Sequence, residues 1–580
     1  MSSQAGNRSY SDAIELLNSC QSNAATIEAI RKSGGKLNQY AIPEMIEYLR
    51  RIGYRPEDLN ALNVIHITGT KGKGSTSAFV ERICRGKIQE EQAGSGKLVG
   101  EEENGLDLEG FEEDEKEWVG GIGLYTSPHL CAVRERIRIN GHPLPEKIFA
   151  KYFFQVWDRL SSHNSSPNSQ SHALEPIPDP HVPQDHYTSI PEKPVYFRFL
   201  TLLSFHVFLS LKIKLTVLEV GMGGTYDSTN VVPRPLVTGV TALGLDHTFM
   251  LGDTVEEIAR NKGGIFKEGV PALAVVQEKS AKRGEGVLRD RAEELEASSF
   301  DLVPVYPELK PIKLGLPGSH QVVNASLAVA MCKTLLSSPD LPPSLAPYHE
   351  PASTSDVPPS YIPYIEKTRW PGRCQTVIDP LSDAEGNVTT TWFLDGAHTV
   401  ESLTSCGEWV YGPDGMDSTA TPSSTEGIPS RRKRRVLIFN CTSGRSAYAL
   451  LGALLDAGKK ATGKSSADVG SWFDRVIFCT NVTYVDGHFK GDLTSKAIDP
   501  NDLSALATQH ALSAAWSELV PTFSRERVHV VPSIQHAVNI VRETGKAKKE
   551  DVQVLVAGSL HLVGGTMEVA GLAERALSVA

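Results

Sequence analysis

Residues 66–80 read HITGTKGKGSTSAFV, a glycine-rich turn between the β-branched run NVIHI and a segment that forms a helix. Glycines let backbone N–H groups curl around an anion, the helix N-terminus adds partial positive charge, and a lysine in the loop can neutralise outer phosphates. The strict pattern GxxxxGK[ST] puts a hydroxyl directly after the lysine. Here Gly74 follows Lys73, and Ser75 and Thr76 come later. The competing reading is a glycine connection without a ligand, and the strand, loop and helix together favour phosphate. Gly69, Thr70, Lys71, Gly72, Lys73, Gly74, Ser75 and Thr76 are the candidates.

Further polar residues interrupt apolar runs. In LEVGMGGTYDSTNVV, Glu219 closes a buried strand just before a glycine turn, where a carboxylate can bind a cation bridging nucleotide phosphates, or pair with a buried arginine. Asp227, Thr229 and Asn230 follow, as turn caps or substrate contacts. Asp246 and His247 sit just past LVTGVTALG; His247 reads equally as a metal ligand or acid/base and as a structural ring. Lys262, ahead of Gly263 and Gly264, reads as a charge at a helix C-terminus. Arg373 in RWPGR suits bidentate phosphate recognition, and Asp395 and His398 in FLDGAH follow a strand, where a carboxylate can accept from a ribose hydroxyl. Either pair alone is a weak signal, with surface ion pairing or helix capping as the plain alternative.

The elements that position these residues alternate. NVIHITG, LTVLEVG and LVTGVTALG read as strands in the first half; RRVLIFN, FDRVIFCT, RVHVVP and VQVLVAGS do so in the second. Strand alternating with helix predicts an α/β protein of two domains with parallel-rich sheets, the ligand lying beyond the carboxyl ends of the strands. Expected boundaries are a nucleotide-binding domain over residues 1–340, a Pro/Ser-rich linker over 341–360 and a Rossmann-like domain over 361–580. Three more stretches of biased composition, about 88–120, 162–193 and 411–433, read as insertions. RRKRR at 431–435 is expected to be a solvated loop end rather than a targeting signal.

A chain of 580 residues exceeds one core, and 40% hydrophobic with 22% charged residues suits a globular protein. The net charge of −11 argues against a nucleic-acid surface, so any anionic substrate must meet a local basic patch. Arg134, Arg136 and Arg138 would share one face if VRERIRI is a strand, forming such a patch or pairing with neighbouring acids. The eight cysteines form no CxxC pair, which suits a reducing compartment and gives no zinc site. FLTLLSFHVFLSL is too short to span a membrane and reads as a buried helix. The first residues resemble neither a secretory nor a mitochondrial leader, so a cytoplasmic location is expected, with room for a mitochondrial form from another start.

Together GTKGKGST, TSPHL with VRERIRING, YFRFLTLLSFHVF, LEVGMGGTYDSTNVV, LGLDHTFMLGDTVEEIARNKGGIFK, GSHQVVNASLA, WPGR and LDGAH resemble the folylpolyglutamate synthases, relatives of the Mur ligases, in the family's order. The resemblance implies an N-terminal P-loop ATPase domain, a C-terminal Rossmann-like ligase domain and ATP-dependent addition of L-glutamate to a reduced folate or folylpolyglutamate. An acyl phosphate would form first, because a carboxylate lacks a leaving group an amine can displace. ATP and Mg2+ are implied, with K+ as a further monovalent cation, and a monomer without nucleic-acid partner or membrane span.

By motif, the resemblance assigns Lys73, Glu219, His247, Lys262 and Arg373 to catalysis, and the loop with Asn324, Arg373, Asp395 and His398 to ATP. Ser127, Glu219 and His247 would hold magnesium, Ser75 less directly, together with Lys262 if it carries a carbamate; this replaces the plain reading of Lys262. Pro128, His129 and Arg134 would face folate. Thr399 departs from the family's DGAHN. Dihydrofolate synthesis by the same chemistry and a nucleotide-binding regulator without catalysis are the alternatives.

Overall fold

The computed structural model describes residues 8–21, 39–94, 111–162, 174–175, 182–384, 389–416, 433–442, 444–486, 492, 506–548 and 550–578. Large parts of three expected insertions, 95–110, 163–173 with 176–181, and 417–432, lie outside them.

Eight strands build the first sheet: β1 (Val64–Thr68), β2 (Ile122–Tyr125), β3 (Ile137–Ile139), β4 (His142–Pro143), β5 (Leu215–Glu219), β6 (Val237–Val240), β7 (Pro271–Val275) and β8 (Ser299–Val303). They lie in the order β4-β3-β2-β5-β1-β6-β7-β8, parallel except for β3 and β4. The central strands β1, β5 and β6 are buried throughout, which is why they read as nearly unbroken apolar runs. His66 breaks the run in β1 and is tolerated because its Nε2 meets Thr229 Oγ1 at 2.9 Å. The helix Tyr196–Ser210 covers one face and is buried over most of its length, as its apolar composition predicts. On the other face the helices Lys73–Gly94 and His320–Leu336 share a core that includes Phe79, Val80, Ile83, Leu327 and Met331.

Six strands form the second sheet: β9 (Gln375–Ile378), β10 (Thr390–Leu394), β11 (Lys433–Phe439), β12 (Arg475–Cys479), β13 (Val528–Val531) and β14 (Asp551–Ala557), in the order β13-β12-β11-β14-β10-β9. Only β9 runs antiparallel.

Two expectations change. The stretch read as a linker and the opening of the second domain packs on the first: Leu345, Val357, Tyr361 and Ile365 join the core under the helix Lys73–Gly94. The proline-rich sequence had disguised these apolar anchors, and the chain crosses between the domains only after them, near residues 368–374. The last three residues of RRKRR open β11 rather than ending a loop, and Arg434 donates to Asp474 at 2.8 Å and also to Glu550. No helix among the described residues is long and apolar enough to cross a membrane.

Candidate functional site

The glycine turn leaves β1 and passes directly into the helix Lys73–Gly94, so the helix begins at Lys73 itself. Gly72, at φ +90°, makes this possible, and a Cβ there would lie 2.2 Å from Asn324 Oδ1. At Gly69 a Cβ would lie 1.8 Å from Thr241 Oγ1. The loop is also pinned from behind: Thr70 and Lys71 donate their backbone N–H groups to Ala242 O at 2.9 and 3.1 Å. Thr241 Oγ1 donates to Lys71 O at 2.7 Å. The Lys71 ammonium leaves the loop altogether and meets Glu401 of the second domain at 3.5 Å.

Two lysines converge on one carbonyl. Lys73 Nζ donates to Gly69 O at 3.1 Å and Lys262 Nζ to the same oxygen at 2.7 Å. Lys262 is buried, and burial, with the Lys73 charge second, pulls its pKa down to about 7. A large neutral fraction at neutral pH follows. The charges of Asp246 and Asp227 oppose this shift.

Glu219 ends β5 beside the loop, buried, with Oε2 lacking any hydrogen-bond partner among the described residues. Burial raises its pKa to about 7 against the pull of Lys73, the Ser127 backbone N–H, Arg373 and Arg136. Such a carboxylate is costly unless a cation completes it. Ser127 lies on the same side, its Oγ 3.9 Å from the Cβ position of Gly221. Together they offer hard oxygen donors of the kind Mg2+ takes. No group of three His, Cys, Asp or Glu side chains able to hold a metal occurs among the described residues.

A cleft opens between the domains here. Gly72, Gly74, Ser75, Ser127, Pro128, Glu135, Arg138 and Glu219 line it from the first domain; Trp370, Pro371, Arg373 and Leu560 line it from the crossing segment and the second. Asn324 donates to Gln321 at 2.9 Å and Gln321 to Ser75 Oγ at 3.3 Å, tying the helix His320–Leu336 to the start of the loop helix. Asp395 accepts from Cys374 N and Sγ at 2.8 and 3.0 Å and from Ala397 N at 2.7 Å, so its carboxylate first shapes the turn after β10. His398 Nδ1 meets Gly396 O at 2.8 Å. Thr399 caps the helix Val400–Val410, accepting from Ser402 N at 3.2 Å, which gives the departure from DGAHN a local role.

Other predicted residues are placed differently. His247 sits on the loop beyond β6 in left-handed conformation, its side chain 48% exposed and its ring 3.7 Å from Asp246. Asp227 and Asn230 are engaged in turn bonds, with Thr229 and Met222 and with Thr225 and Gly264. The strand expected over VRERIRI is a 3-10 turn at Val133–Arg136 followed by β3, so the three arginines share no face. Arg136 and Arg138 are each 1% exposed, and the pair cannot act as a surface attractor. Arg134 is partly exposed and donates to Leu144 O at 3.3 Å. His129, expected to face folate, is buried among protein partners. Its Nδ1 accepts from Arg136 Nε at 2.9 Å, which leaves Nε2 to donate to Asp492 O at 2.7 Å, and its ring is buried. Pro128 remains exposed at the rim. Sequence reasoning missed Trp370, Gln321, Thr241 and Leu560. A tryptophan preceding PGR was a visible signal; the others carry no chemistry until packed.

Two parallel-rich sheets, with a phosphate loop and buried carboxylate on one and a basic turn from the other closing over them, define a two-domain α/β protein with a phosphate-binding cleft between its domains. No family model matches the chain. The folylpolyglutamate synthase of Saccharomyces cerevisiae strain AWRI796 is 40% identical over 562 residues, 97% of this chain and 87% of that protein. The folylpolyglutamate synthase of Mycobacterium tuberculosis complexed with ADP superposes with a TM-score of 0.58 at 18% identity, covering 97% of this chain and 99% of the other. Escherichia coli FolC in complex with ADP gives 0.52 at 20% identity, covering 91% and 94%. The chain belongs to the folylpolyglutamate synthase family and is a ligase.

Proposed function

We propose that this chain adds L-glutamate to the γ-carboxylate of tetrahydrofolate and its polyglutamates, using ATP. The observation that carries the residue assignment is the partnerless, buried Glu219 Oε2 facing the glycine loop across from Arg373. The Gly72–Ser75 amides at the helix start receive the phosphates, Lys73 neutralises the transferring group and Arg373 meets it from the other domain. Gln321 and Asn324 keep the loop helix in place. The folyl carboxylate attacks the γ-phosphorus, ADP departs, and the glutamate amine displaces phosphate from the acyl phosphate. Glu219 and Ser127 would hold Mg2+, which when bound offsets phosphate charge. Closing the cleft excludes water that would otherwise hydrolyse the acyl phosphate.

The neutral fraction of Lys262 supports a carbamate: its amine nitrogen bonds to the carbon of CO2 and releases one proton, leaving an anion beside the loop. With 13C-bicarbonate, a carbamate carbon resonance is expected in the intact protein and absent in Lys262→Ala; no signal in either would remove this assignment.

The cytoplasm is proposed as its compartment because all eight cysteines are free thiols. A monomer is proposed because one chain supplies both walls of the cleft, and light scattering would test it. Mass spectrometry of products from ATP, glutamate and tetrahydrofolate should show species heavier by one or more glutamyl units. Activity on dihydropteroate alone would transfer the protein to dihydrofolate synthesis. Glu219→Gln should lose at least about a hundredfold in kcat while unfolding no more easily, since it removes a buried charge; undiminished turnover would refute the metal-side role of Glu219.

A further inference from the structure

Arg138, on β3, is buried at the wall of the cleft, yet its hydrogen bonds go to carbonyls outside the glycine loop. Its Nη1 donates to Gly141 O at 3.0 Å within its own hairpin and to Leu577 O at 2.9 Å, at the end of the helix Ala573–Leu577 in the second domain. Its guanidinium also stacks over Trp370, 5.2 Å from the ring centroid. Trp370 in turn covers the start of the loop helix: its Nε1 lies 3.3 Å from where a Cβ on Gly74 would be. The next carbonyl back, Ala576 O, accepts from Gln375 Nε2 at 2.7 Å, and Gln375 Oε1 accepts from Gly372 N at 2.9 Å, the residue before Arg373. One short stretch of the second domain is thus gripped by Arg138 from the first domain and by the strand that begins just past Arg373.

We infer that Arg138 is a positioning residue of the ligase site: by holding Leu577 and the Trp370 ring together it sets how the crossing segment, with Arg373, closes on the phosphate loop. Burial among these groups lowers its pKa to about 10, still far above neutrality, so the stacked group is a cation. A lysine keeps the charge but lacks the planar group that stacks on the Trp370 ring while its Nη1 donates to two carbonyls.

The inference rests on the ligase reading for its kinetic arm. Arg138→Lys should lower kcat/KM on the order of tenfold or more, the scale of a small misplacement in a reacting site. The same change in a Trp370→Leu background should cost under about twofold more, because the route through the ring is already gone; in Trp370→Phe, which keeps a ring, most of the loss should persist. Losses that multiply in all three backgrounds, or no loss at all, overturn the inference. Calorimetry with a non-hydrolysable ATP analogue, without folate, reads the same contact independently of ligation. Several-fold weaker binding by folded Arg138→Lys is expected, and unchanged binding overturns the inference even if the ligase reading fails.

Discussion

A single buried histidine shows how local chemistry sets a global property. His66 lies in the middle of β1 with no partner for Nδ1 among the described residues, and burial, followed by Lys267, pulls its pKa down to about 3. The folded state therefore keeps it neutral while the unfolded chain takes a proton below its usual value of 6.5. Stability is full above that value and drains as the pH falls toward 3, by about 2 kcal/mol between pH 6.5 and 5. Urea unfolding across that interval should show a flatter slope for His66→Gln, which still reaches Thr229 and does not titrate; parallel slopes would show that His66 is not the source. Lys262 illustrates the converse limit on sequence reading. Its spacing before two glycines described a helix end correctly, and the helix Val255–Lys262 does stop there. Only the fold buries it and brings the Lys73 charge close, and so depresses its pKa.

At the scale of elements, the phosphate loop works because two glycines adopt conformations that other residues enter at a cost. Gly72→Ala meets both a positive φ and the Asn324 amide, so it should weaken binding of ATP by at least about tenfold, seen by calorimetry. Thr399→Ala, by contrast, removes only a helix cap. It should cost about 1 kcal/mol in stability with ATP binding nearly intact; a large binding defect there would mean Thr399 contacts the nucleotide. The alternating strands and helices were legible because central parallel strands must be apolar on both faces. VRERIRI was misread for an equally physical reason. Alternating charge and branched residues fit a strand, but Glu135 accepts three backbone N–H groups, from Leu130, Cys131 and Ala132, and that folds the first half into a turn.

Across the whole molecule, the domains are joined at places far from the crossing segment. Asp492 Oδ1 accepts from Tyr10 OH at 2.8 Å and from Val133 N at 3.2 Å, while its carbonyl takes His129 Nε2. This grips the loop that carries Ser127 and Pro128 into the cleft. Asp492→Ala should raise the KM for folate more than that for ATP, and Tyr10→Phe, losing one bond of about 1 kcal/mol, should do so no more than about fivefold; equal effects on both substrates would place the grip elsewhere. The sequence by itself determined the α/β class, the loop, the strand-end carboxylate and the basic turn, because each depends on residue types within a few positions of one another. What only the tertiary structure decided is which groups share charge and bonds: Lys262 with Lys73, His129 with Asp492, Arg138 with Trp370 and Leu577. Those pairings join residues up to hundreds of positions apart, and desolvation, which sets their energies, exists only once the chain has closed around them.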